Sequence, residues 1–82
     1  MSGLSDKAIA VFAFAAYHQL QSGQPVTKVI RDDGKGHKAD NEAVRELEGL
    51  GLAKAEGNDI TFSQNGLATL AKAVEGLRSV AQ

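Results

Sequence analysis

The stretch Glu46-Leu47-Glu48-Gly49-Leu50-Gly51-Leu52, followed by Ile60-Thr61-Phe62-Ser63-Gln64-Asn65-Gly66, constrains the fold more than any other part of the chain. Val44, Leu47 and Leu50 fall on one face of a helix, and Gly51 suits the left-handed residue that stops one. Glu56-Gly57-Asn58-Asp59 is a turn signal between two short runs, Leu52 onward and Ile60 to Phe62, so a hairpin is expected over residues 52–62. Ser63 then caps a new helix. Helix, glycine stop, hairpin and capped helix must therefore follow one another within about thirty residues.

The remaining elements follow from the same kind of punctuation. Ser5 caps a first helix expected over residues 5–21, ended by Ser22-Gly23-Gln24-Pro25. Its interior, Ala8 to Tyr17, has almost no polar face, which predicts burial on more than one side. Phe12 and Phe14 point about 200° apart on a helix and cannot enter the same small core. Pro25 opens a second, short helix over residues 25–32, with Val26, Val29 and Ile30 as its buried stripe. Asp33-Gly34 and Gly36 end it in a glycine-rich connection that carries His37. A third helix is expected over residues 39–50, capped by Asp40 or Asn41. A last one spans 64–80, where Leu67, Leu70, Val74, Leu77 and Ala81 alternate in steps of three and four, as in a helix packed lengthwise on another. Gly66 lies in its first turn, where it permits close approach to the hairpin or to the first helix.

An 82-residue chain without cysteine makes one small domain with no disulfide or thiolate metal site. Such a domain packs efficiently or shares a core with a second subunit. Dimerisation through the first and last helices, by Phe12, Phe14, Leu70, Val74 and Leu77, is expected. The apolar run of the first helix is too short for a bilayer, and its flank does not resemble a secretory signal, which points to a soluble cytoplasmic protein.

Catalytic chemistry finds no constellation. His18 and His37 lack nucleophile partners, and Glu42, Glu46 and Glu48 read as a solvated helix face. Asp32-Asp33-Gly34-Lys35-Gly36 has neither the acidic spacing of a calcium loop nor the Gly-Lys-Ser/Thr ending of a phosphate loop. Neither enzyme activity nor a cofactor is expected. The net charge of −1 is unevenly placed. Lys28, Arg31, Lys35 and Lys38 outnumber Asp32 and Asp33 in the middle, whereas residues 40–59 are acidic.

The segment "LEGLGL" followed by "ITFSQNG" resembles the signature of winged helix-turn-helix regulators of the MarR and PadR kind, and the likeness extends over residues 25–77. It implies a mainly α fold with a small β-hairpin. Residues 39–50 would be the recognition helix and 52–62 the wing. It further implies a dimeric, sequence-specific transcription regulator on double-stranded DNA. Carried over by position, Lys38, Ala39, Asn41, Glu42 and Arg45 face the major groove, with Asn41 suited to adenine and Arg45 to guanine or phosphate. Lys28, Arg31, Lys35 and Lys38 anchor phosphates. The acidic wing, Glu56 and Asp59, departs from the basic wings of that family. It fits an alternative in which the third helix and wing form an acidic surface for a protein partner, without DNA.

Overall fold

In the computed structural model, which describes residues 3–32, 34–36 and 38–80, Ser5 starts helix α1 (Asp6–Ser22) by accepting the Ala8 N–H on its side-chain oxygen. Gly23, at φ 71°, ends it. Ala8, Val11, Phe12, Ala15 and Ala16 are buried, the three-and-four spacing of a single face. Phe12 stacks on Phe62 with ring centroids 5.2 Å apart, whereas Phe14 lies half-buried on another sector, edge-on to His18.

The expected second helix is a strand. Residues 28–30 form β1 (Lys28–Ile30), antiparallel to the last strand of the hairpin, with Val29 opposite Ile60 and both buried. Val26, Thr27, Val29 and Ile30 are β-branched and fit a pleated surface better than a short helix. The open edge of the hairpin supplied the pairing that decided the outcome. Beyond β1, Asp32 bridges to Lys38 and the Ala39 N–H donates to the Arg31 carbonyl at 2.7 Å, closing a loop around Gly34-Lys35-Gly36. Asp33 and His37 lie outside the described residues, as does Ala81 of the expected seam.

Helix α2 (Asn41–Gly49) is capped by Asp40 and packs through Ala43, Val44 and Leu47. It ends in a Schellman turn, in which Leu52 N–H donates to the Leu47 carbonyl at 2.9 Å and Gly51 N–H to the Glu48 carbonyl at 3.1 Å. Gly51 takes φ 72°, as expected of the stop signal. Leu50, by contrast, is 57% exposed, because it is the capping residue where the chain leaves the helical path.

Strands β2 (Ala53–Glu56) and β3 (Asp59–Phe62) form the hairpin, and the sheet order is β1-β3-β2. Gly57 sits at the first turn position with φ 59°, the positive value that a two-residue II′ hairpin requires there. Leu52 packs on the core, and Ile60 and Phe62 are buried in it.

Helix α3 (Gln64–Val80) lies against α1 and buries Leu70 and Val74, while Leu77 is 49% exposed. Its first turn is clasped to the end of α2. Ser63 Oγ accepts the Gly66 N–H at 3.1 Å and donates to the Gly51 carbonyl at 2.6 Å, and Ser63 N–H donates to the Leu52 carbonyl at 3.0 Å. A Cβ on Gly66 would stand 1.9 Å from that Leu52 oxygen. The backbone itself would have to move to admit it.

Gly66→Ala is therefore expected to destabilise the protein by at least about 1–3 kcal/mol, the usual cost of overpacking, despite alanine's better helix propensity. Urea unfolding checks this, and a variant as stable as the wild type would refute the clasp.

Candidate nucleic-acid interface

Asp40 builds the site by starting α2. Its Oδ2 accepts the Glu42 and Ala43 N–H groups at 3.0 and 3.1 Å, and its Oδ1 lies 3.4 Å from Lys7 Nζ. The Ala43 hydrogen bond, with help from Lys7, holds the Asp40 carboxyl below its ordinary range. The first turn of α2 is thereby fixed with its outer side in solvent. Lys38, Ala39, Asp40, Asn41, Glu42 and Arg45 line a polar recess there.

The six expected contact residues divide into two groups. Lys38, Asn41 and Arg45 share the recess, and Arg31 joins them through a 2.8 Å bond from its Nη2 to the Asn41 Oδ1. Lys28 stands apart on β1, 3.4 Å from Asp59. Lys35 is exposed in the loop that leads towards α2.

The acidic residues are less available than the sequence suggested. Glu46 does not belong to a solvated face: its Oε2 accepts the Ser5 N–H at 2.9 Å and its Oε1 the Ser5 hydroxyl at 2.6 Å, tying α2 to the start of α1. These bonds, the hydroxyl first, keep the Glu46 carboxyl below its ordinary range. Glu48 accepts the Ala55 N–H at 3.0 Å and ties α2 to β2. In the hairpin, Asp59 meets Lys28, and Glu56 lies 3.8 Å from Lys54. Such exposed pairs add little stability, yet they neutralise charge locally.

Asn58, expected as a residue of the hairpin turn, also reaches across to the loop beyond β1. Its side-chain amide donates to the Asp32 carbonyl at 2.8 Å and accepts the Asp32 N–H at 3.0 Å, while its own carbonyl accepts the Arg31 N–H at 2.8 Å. It extends the β1–β3 pairing beyond β3 and seats the hairpin turn against the glycine-rich loop. An asparagine in a tight turn signals local backbone bonding, but nothing local points to a partner 26 residues away.

His18 contacts Phe14 and Tyr17 through ring edges, with no acid–base partner among the described residues. Among the described residues, no group of three or more His, Cys, Asp or Glu side chains is placed to hold a metal ion, and no helix is long and apolar enough to cross a membrane. No family model, curated protein or solved structure matches this chain.

The lowered Asp40 and Glu46 carboxyls set an acid limit on stability. The unfolded chain binds protons more readily at both groups, so their contribution is complete above their ordinary pKa values. It is lost as pH falls below about 4 and through the lower folded values. The melting temperature should drop on acidification across that window, and Glu46→Gln should flatten part of the drop. Circular dichroism melts from pH 7 to 2 check both.

Proposed function

We propose that this chain is a winged-helix DNA-binding domain of the kind found in MarR and PadR regulators, and that it acts as a homodimer to regulate transcription. The observation that carries this reading is the recess on α2. The first turn of a short amphipathic helix stands in solvent, and Lys38, Asn41 and Arg45 converge on it. These are side chains suited to base edges and phosphates. The order α1-β1-α2-β2-β3-α3, with the hairpin after α2 and β1 on its open edge, supports the winged arrangement. A strand and a closed loop stand where the sequence suggested a helix, so the element preceding the recognition helix is reduced to a loop in this reading. The acidic protein-docking alternative draws less support, because Glu46 and Glu48 are engaged within the fold and Asp59 is paired.

Phe12, Leu70 and Val74 are buried within the chain and Phe14 lies elsewhere, so of the five residues expected at a dimer contact only Leu77 remains on an exposed helical face. A different set supports self-association there. Ile9, Ala13, Ala73, Gly76, Leu77 and Val80 line an apolar groove between α1 and α3, and Val80 is 86% exposed. Among the described residues outside its own helical backbone, nothing lies within 4 Å of a Cβ built on Gly76, so their packing gives no reason for a helical glycine there. Close approach of a second copy supplies one.

Fluorescence anisotropy against mixed duplex DNA at two salt concentrations tests the main reading. Binding that weakens with salt is expected, with Lys38→Ala lowering the log–log slope by about one unit. No binding at low salt would overturn it. For the dimer, Gly76→Ala should raise the stability of the monomer by about 1 kcal/mol while weakening self-association. A variant that sediments like the wild type would remove the groove from the interface.

A further inference from the structure

We infer that Arg31 sets the base preference of α2, by holding Asn41 so that the pair reads guanine rather than adenine. The inference rests on the DNA-binding reading above and deepens it.

A guanidinium has only donors, so the Asn41 atom 2.8 Å from Arg31 Nη2 must be the carbonyl oxygen. That settles the orientation of an amide whose two ends otherwise look alike. Asn41 thus turns its acceptor to Arg31 and is left with the NH₂ group as its other polar end. A free asparagine reads adenine by offering one acceptor and one donor side by side, to N6 and N7. Here the acceptor is engaged, and its second lone pair lies beside a positive charge that repels the partly positive adenine amino group. Guanine presents two acceptors, O6 and N7, on the same edge. The remaining Arg31 N–H groups and the Asn41 amide hydrogens match that edge.

The arrangement is anchored rather than incidental. Arg31 is half-buried, its N–H donates to the Asn58 carbonyl at 2.8 Å, and its carbonyl accepts the Ala39 N–H at 2.7 Å. The backbone that carries the guanidinium is therefore held by the hairpin turn on one side and by the entry to α2 on the other. Asn41 is held in turn as the first residue of a capped helix. Lys38 and Arg45 add only donors to the recess. Both Asp40 oxygens are occupied by Glu42, Ala43 and Lys7. Glu42 is the one carboxylate of the recess without a hydrogen-bond or ion-pair partner among the described residues. It suits the cytosine amino group across the same base pair.

Selection from a random duplex library with the wild type, Arg31→Ala and Asn41→Ala, followed by titration of the selected duplexes at low salt, tests the inference. The wild type should prefer guanine over adenine at one position by about tenfold. Arg31→Ala should free the Asn41 oxygen and move that preference towards adenine. Asn41→Ala, which places a good helix former at an exposed position, should flatten it even if Arg31→Ala fails to fold. Selection of adenine at that position by the wild type would overturn the inference while leaving the DNA-binding reading intact. So would a guanine preference that survives in both variants. Failure of the wild type to retain any duplex at low salt would overturn both.

Discussion

The junction of Gly51 and Leu52 with Ser63 and Gly66 is the contact on which the rest of the structure depends. The Leu52 carbonyl accepts the Ser63 N–H, while Ser63 Oγ bonds both the Gly51 carbonyl and the Gly66 N–H. Three elements end or begin there: α2, the base of the hairpin and α3. Each helix terminus leaves backbone groups without intrahelical partners, and the two termini partly satisfy one another. The absence of a side chain on Gly66 lets them meet at that distance. With the junction closed, Phe62 is brought under α1 to stack on Phe12, and Leu70 is directed into the same core.

From that fixed base, the position of α2 is set by carboxylates. Glu46 reaches the start of α1, Glu48 reaches β2, and Asp40 holds the first turn. All three accept from main-chain N–H groups and so act as structural ties despite their exposure. The helix keeps donors on its outer side because Glu46 and Glu48 are turned towards its neighbours, with Glu42 the acid that shares the recess. A net charge near neutrality is therefore compatible with a local surface of the opposite character.

Much of the fold was legible in short-range chemistry. Ser5, Asp40 and Ser63 are caps whose partners lie two or three residues ahead, and Gly51 and Gly57 are positive-φ positions whose turns close within a few residues. The β1 strand was not legible, because its pairing partner lies about thirty residues further along and Val26, Val29 and Ile30 also fit a helical stripe. The same limit hid the roles of Glu46 and Asn58, whose partners are 41 and 26 residues away. Within the candidate site, the grouping of Lys38, Asn41 and Arg45 was carried over by position from the winged-helix resemblance, and the three line one recess. Its link to Arg31 required the loop closure that replaced the expected helix.

The Glu48–Ala55 bond has a bearing on strand addition at the edge of the sheet. An antiparallel sheet of three short strands has two borders, and an uncovered border is a template for adding strands from other molecules without end. On the β2 side, Glu48 takes up the Ala55 N–H that such a strand would need. The opposite border is only three residues long. Both features are ways in which small proteins discourage open-ended stacking.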